Sequence, residues 1–386
     1  MSELNASNLR KEHGNEGPDL VGVTELTSPY FMVPPSGTTA ERPQNAQPGT
    51  LRFNTDIGSL EYFKGDDLGW VQIQRTTPNL DGGARGLFMG GSNEPDPSST
   101  YDIIEYITIP TLGNGTDFGN LSSARQEGGA FASSTRGVYF GGDPGINTIE
   151  YVTISSTGNA TNFGDTTGDQ SKAGSGAADQ TRGLMALGWA NPTSVDIIEY
   201  VTTASTGNGV DFGNLTATLY EGSGFSSSTR GIFTIGYDIP STTYKNTIDY
   251  VTIQTTGNAS DFGDLTVARG YVAGAFSGAT RGIICGGYAG SPLSTRVNTI
   301  DYVTIATLGN AIDFGDMTTL NGYAAGCSSK LRGVCASGYG TVAPTNTIVN
   351  SMEYIELATK GNSVDFGDVT QKRRHIKGCS NAHGGL

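Results

Sequence analysis

From Arg85 onward the sequence repeats itself six times, each copy marked by an Arg-Gly pair at Arg85, Arg136, Arg182, Arg230, Arg281 and Arg332. A period of about fifty residues means one supersecondary unit copied in series, and no copy can bury its apolar face alone. Each copy reads through a short apolar run ending in glycine, a variable loop and a strand of the type Thr-Ile-Glu/Asp-Tyr-Val-Thr-Ile. A Gly-Asn turn and an Asp-Phe-Gly-Asp/Asn-Leu-Thr segment follow. No helical pattern interrupts these runs. Several short strands per copy predict an all-β chain, and their serial repetition predicts a six-bladed β-propeller.

The last stretch of the chain suggests how such a propeller closes. Copies two to six have a strand such as Gly128–Ser134 before the Arg-Gly pair, whereas copy one begins abruptly at Asn79-Leu80-Asp81-Gly82-Gly83-Ala84. The missing strand is found at Lys377–Gly385, with Gly384 where the repeated arginine would stand. The C-terminal strand is therefore expected to pair with the first copy, making residues 79–386 one closed domain without exposed edges to template aggregation.

Composition narrows the function. The 57 glycines show no Gly-X-Y period and mark turns and close backbone approach. A formal charge of −14 argues against nucleic acid as the main partner. The basic residues Lys372, Arg373, Arg374 and Lys377 read as solvated charge around the closing strand. The N terminus lacks the apolar stretch of a secretion signal and no later segment is long enough to span a bilayer, so assembly in a cytosol without membrane insertion is expected. Of the four cysteines, Cys327 and Cys379 occupy the slot held elsewhere by Phe131, Ala177, Phe225 and Phe276. They are expected to be buried free thiols.

Two segments precede the repeats. Residues 1–50 hold few aliphatic residues and several prolines, and read as an extended arm that needs another chain to hold it. Residues 51–75 read as a small β-meander with Phe53, Leu60, Tyr62 and Trp70 on its apolar face. Three short strands need a neighbour to pack on, which points to an oligomer or larger assembly.

Two repeated motifs carry charge. Strand alternation puts Glu150 on the face of Val152 and Ile154, and the acid recurs as Glu105, Glu199, Asp249, Asp301 and Glu353. Buried acids need partners, and the six Arg-Gly arginines are the expected ones. The Asp-Phe-Gly segment lacks every other element of a kinase, and its Asp is expected to cap the Gly-Asn turn. No copy has the ligand spacing of a calcium loop. His13, His375 and His383 lie at the two ends of the chain, so neither a repeated metal cluster nor a Ser-His-Asp set is expected. The expectation is a non-enzymatic protein with no cofactor and no metal.

What varies among the copies is the loop after the Arg-Gly strand. These loops are expected on one face, and they carry Tyr101, Trp189, Tyr237, Tyr244, Tyr288 and Tyr339 amid Ser, Thr, Asn and Pro. A constant scaffold with one variable aromatic face suits recognition, including stacking against sugar rings.

The combination of a glycine pair (Gly90-Gly91, Gly141-Gly142, Gly286-Gly287), Asn-Thr-Ile-Glu-Tyr and Arg-Gly resembles kelch-type propellers over residues 79–386. Phenylalanine stands where kelch repeats usually carry tryptophan. Separately, the segment Pro48–Ile73 resembles short segments near the N termini of tailed-phage fibre and appendage proteins. Together the resemblances imply a virion structural protein, a fibre, spike or decoration. It would be assembled in the host cytoplasm, docked on capsid, neck or tail proteins through residues 1–75, and would present its propeller to a host-surface glycan or receptor. The alternative reading is a cytosolic kelch-like interaction adaptor.

Overall fold

The computed structural model describes residues 34–56, 58–66, 69–72, 83–93, 100–168, 174–190, 193–239, 241–290, 295–342 and 345–386. The chain divides into two compact units, residues 1–77 and 78–386. It is all-β; among the described residues the only helical turn is the 3-10 turn Thr39–Glu41.

In the smaller unit, strands Leu51–Asn54, Ser59–Phe63 and Trp70–Gln72 form the antiparallel meander, and Ser36–Gly37 adds a fourth strand parallel to the first. Residues 34–50 are therefore not simply an extended arm, while residues 1–33 lie outside the described residues. The expected apolar face also needs correcting. Phe53, Leu60 and Tyr62 share one face and are only half-buried, whereas Trp70 pairs with Phe63 on the other, their rings 5.5 Å apart. That second face buries Arg52, Asn54 and Glu61. Arg42 reaches Glu61 with two hydrogen bonds, of 3.1 and 2.6 Å, and Asn54 donates a third. These bonds, Arg42 foremost, hold the Glu61 carboxyl below its ordinary value against the opposing effect of burial. Residues between the arm and the meander thus make a buried polar network, and a two-residue periodicity cannot reveal which of two faces such a network will claim.

Among the described residues of the larger unit, six antiparallel sheets share one four-strand plan. Their inner strands are Lys377–Ser380, Gly129–Ala132, Ser175–Ala178, Ser223–Ser226, Gly274–Ser277 and Ala325–Ser328 for sheets one to six. Each is followed outward by the Arg-Gly strand, the acid-bearing strand and the Asp-Phe-Gly strand. The sequence-final strand does pair with the first copy, in the register Lys377 to Met89 through Ser380 to Gly86. The inner strand of each sheet lies against that of the next from two through six, sheet six lies against sheet one, and sheet one against sheet two. Apolar clusters fill the spaces between successive sheets. Leu87, Met89 and Phe118 of sheet one, for example, meet Val152 and Ile154 of sheet two. Each such side chain contributes roughly 1.5–3 kcal/mol when fully buried.

The repeated residues serve the junctions between sheets. The amide of Gly158 donates to Phe118 O (2.7 Å), that of Ala160 to Asn120 O (2.8 Å), and Asn159 Oδ1 accepts from the amide of Asn120 (3.0 Å). The Gly-Asn turn of sheet two thus pairs with the outer edge of sheet one. The same three bonds recur at every junction, ending with Gly113, Gly115 and Asn114 of sheet one on Phe366 and Asp368 of sheet six. This overturns the expected turn cap by the Asp of Asp-Phe-Gly, because it is the Asn that bonds, and it bonds across sheets. The glycine of Asp-Phe-Gly has φ of +148° at Gly119 and +144° at Gly213. A Cβ at either would lie closer than 3.0 Å to the carbonyl of the neighbouring Gly-Asn turn. Glycine is needed there for both reasons.

The repeated arginine does not pair with the repeated acid. Arg136 Nη1 donates to Thr203 O of the following sheet (2.8 Å), and its guanidinium lies 4.4 Å from the centre of the Tyr151 ring, which meets Phe163 edge-on. All six arginines make this carbonyl bond and all six stack on the tyrosine of their own sheet. The acids are instead met by the serine or threonine that ends the Asp-Phe-Gly segment of the preceding sheet: Glu150 by the Ser122 amide, Asp249 by the amide and hydroxyl of Thr216. Three acids also receive a buried arginine from five residues after the outer strand of the preceding sheet, Glu150 from Arg125, Asp301 from Arg269 (2.9 Å) and Glu105 from Arg373. Arg373 is fully buried and is not part of a solvated basic patch. The four cysteines are buried free thiols, and burial pushes that of Cys379 up to about 12.

Arg269→Ala strands the buried Asp301 carboxylate and should cost about 3–5 kcal/mol. Arg136→Ala loses one hydrogen bond and one cation–π contact and should cost only about 1–2 kcal/mol. Urea unfolding of the two variants ranks them. Burial raises the carboxyls of Glu199 and Asp249 despite their threonine partners. The folded chain therefore holds those protons more tightly than the unfolded one, and stability declines as pH rises above the ordinary carboxylate value. In Glu199→Gln and Asp249→Asn that decline should be smaller, as measured by denaturation midpoints between about pH 4 and 7.

Candidate binding face

The inner strands of all six sheets line a cavity, walled by Phe131, Ala177, Phe225, Phe276, Cys327 and Cys379. Its two ends differ. At the ends of the inner strands the hydroxyls of Ser226, Ser277, Ser328 and Ser380 each donate to a backbone carbonyl of the preceding inner strand. There the chain terminus folds across: His383 Nε2 lies 2.9 Å from Ala132 O, the Gly384 amide donates to Ser277 O (2.9 Å), and a Cβ on Gly385 would strike Ala178 O. Burial holds His383 below its ordinary value, which favours the neutral ring. The tail thus spans sheets two, three and five.

At the opposite end, residues that lead into five of the inner strands are joined in a run of backbone bonds. Tyr271 donates its amide to Glu221 O, Tyr323 to Tyr271 O, His375 to Tyr323 O, and Glu127 to His375 O, at 2.7–3.2 Å. All five residues are left-handed, with φ between +49° and +59°. Each costs roughly 1–3 kcal/mol for a non-glycine residue, and such strain is typically held where a site needs side chains aimed in one direction. Here it aims two carboxylates, an imidazole and two phenols at one place.

The aromatic side chains converge on this end. Tyr271 lies within 4.7–6.4 Å, centre to centre, of Tyr220, Tyr237, Tyr244, Tyr288 and Tyr323. Trp189 joins through Tyr220 at 6.1 Å, and His375 packs against Tyr323 at 4.3 Å with the rings tilted by 44°. Of the six residues singled out from sequence, Trp189, Tyr237, Tyr244 and Tyr288 therefore belong to one network. Tyr339 is attached to it through Arg296 and Arg374, whose guanidinium groups lie 4.7 and 5.7 Å from its ring. Tyr101 makes no ring contact among the described residues; its backbone ties to Gly91 and Arg125. Trp189, Tyr237, Tyr244 and Tyr339 are partly exposed, whereas Tyr288 is buried.

The residues that organise the network, Tyr220, Tyr271, Tyr323, His375, Glu127 and Glu221, were not singled out from sequence. They precede inner strands rather than lying in the variable loops. The signal that could have found them is their shared offset before the inner strand. Lys377, read as solvated, lies 3.5 Å from Glu221. Burial alone would raise the Glu221 carboxyl, but the charges of Lys377 and His375 outweigh it and hold the carboxyl below its ordinary value.

No protein-family model and no curated protein matches this sequence. Among the described residues no helix is long and apolar enough to cross a membrane.

Burial, followed by the charge of nearby carboxylates and the neighbouring phenols, pushes the hydroxyls of Tyr220, Tyr271 and Tyr323 well above the ordinary tyrosine value. The unfolded chain releases these protons first, so native stability should fall as pH climbs past about 10. In an ultraviolet titration at alkaline pH, part of the phenolate absorbance should appear only together with unfolding. Replacing Tyr271 and Tyr323 by Phe should shrink that late fraction.

Proposed function

We propose that this protein is a non-enzymatic binding component of a phage virion. In this reading residues 78–386 are a six-bladed propeller closed by the C-terminal strand, and residues 1–75 dock on other virion proteins. The propeller is supported by six sheets of one plan, by contacts that run from each inner strand to the next and from the sixth sheet to the first, and by the pairing of Lys377–Ser380 with Arg85–Met89. Docking is supported by the separate compactness of the smaller unit and by the fibre-like segment Pro48–Ile73 within it.

The observation that carries the binding function is the one-sided aromatic network. One end of the cavity is crossed by the chain's own tail, and the other gathers Trp189, Tyr237, Tyr244 and Tyr339 beside amide and hydroxyl side chains. Aromatic faces stack on the apolar faces of sugar rings while flanking Asn, Ser and Thr bond their hydroxyls. A host-surface glycan is the ligand class that fits, and the protein works by contact rather than by chemistry.

A glycan array probed with the whole protein should give discrete hits, and Trp189→Ala combined with Tyr237→Ala should reduce them at least about tenfold, equivalent to roughly 1.4 kcal/mol. Deletion of residues 1–75 should leave the hits and the folded larger unit intact while abolishing assembly on virion proteins. A silent array with tight binding to a host cytosolic protein would favour the adaptor reading instead.

A further inference from the structure

The three side chains Glu127, Glu221 and His375 converge at the mouth of the cavity, and their ligand-type atoms all lie within 4.8 Å of one another. His375 Nδ1 is 3.4 Å from a Glu127 oxygen and 3.5 Å from Glu221 Oε1. The His375 and Glu221 side chains are only 8% and 6% exposed, and neither His375 Nδ1 nor Glu221 Oε1 has a hydrogen-bond partner among the described residues. A buried carboxylate oxygen that faces an imidazole nitrogen with no hydrogen bond to either is costly unless a positive charge, a ring proton or a bound ion, lies between them.

We propose that this triad is a binding site for a divalent transition-metal ion of the zinc class. Metal bonds of about 2.1 Å in a tetrahedral arrangement place neighbouring ligand atoms about 3.4 Å apart, which matches both imidazole–carboxylate separations. The donor set of one nitrogen and two carboxylate oxygens suits zinc and its neighbours better than calcium, which takes oxygen ligands in larger number. Two carboxylates neutralise the ion. Lys377 lies 3.5 Å from the second oxygen of Glu221, so it fixes that carboxylate from behind and leaves Oε1 facing His375. The Tyr323 ring packed at a tilt against His375 restricts the imidazole, and the bond from the Glu127 amide to His375 O ties the backbones of those two ligands. Such outer contacts orient metal ligands. The three residues come from the leads into the inner strands of sheets two, four and one, so a bound ion ties together segments far apart in the sequence.

The test is zinc titration of chelator-stripped full-length protein, read by calorimetry and by Tm. One equivalent should bind and raise Tm, calcium should not compete, and crystals soaked in zinc should show anomalous density between the three side chains. Glu221→Gln and His375→Ala should each weaken the affinity by more than the roughly 10–100-fold that loss of an outer partner costs. Absence of stoichiometric zinc binding by the parent protein would overturn the proposal, as would undiminished binding in either variant or anomalous density elsewhere. A stability that depends on protonation of His375 but is indifferent to zinc would show that a proton, not a metal, bridges the triad. Should a variant fail to fold, the density in the parent crystals decides.

Discussion

The larger unit depends on the edge of one sheet being completed by the next. An outer β-strand presents unpaired amides and carbonyls, and here each outer strand passes them to the Gly-Asn turn of the next sheet, the sixth to that of the first, through the bonds of Gly158, Asn159 and Ala160 and their equivalents. The bond type is that of sheet formation, but it is made across the junction. It forces close approach, so the facing position is a glycine with positive φ, and it brings the acid of one sheet onto the amide of the serine or threonine that ends the Asp-Phe-Gly segment of its predecessor. The arginine reaches the opposite way, to a carbonyl of the next sheet. What repeats in the sequence is therefore what touches a neighbouring copy.

The acid positions show how one repeated problem admits more than one solution. Glu105, Glu150 and Asp301 have a buried arginine, whereas Glu199, Asp249 and Glu353 rely on hydroxyls and amides. The latter group includes the two carboxyls raised by burial. A buried ion pair stabilises little over an apolar replacement, yet removing half of one is severe. The arginines are thus local requirements of three junctions and not part of the repeat.

Against that regular body, one end carries the departures. The left-handed residues Glu127, His375, Tyr323, Tyr271 and Glu221, which lead into inner strands, are joined in a run of backbone bonds, and neighbouring tyrosines pack around Tyr271. The strain and the burial of polar groups are concentrated where binding is proposed, while the other end is crossed by the tail from Asn381 onward. A repeated scaffold can carry such asymmetry because each sheet gains its stability from its two neighbours, leaving its loops free to differ.

Periodicity made the all-β class, the four-strand plan and the pairing of Lys377–Ser380 with the first copy legible, because strand alternation and repeat length are local properties of the chain. Four of the six residues expected on the binding face do join one aromatic network, but its centre, Tyr271, and the Glu127–Glu221–His375 triad were not legible. They lie about 50 to 250 residues apart, and only the contact order of the sheets brings them together. The partners of the acids were misread for the same reason: matching counts of arginine and acid carry no distance, and the bond from Arg136 to Thr203 exists only once sheet three is in place. Sequence alone determined which residues of the repeats form strands, since that follows from repeat length and side-chain alternation. Tertiary structure decided which charges meet and which aromatics share a surface, because those depend on how separate strands are juxtaposed in space.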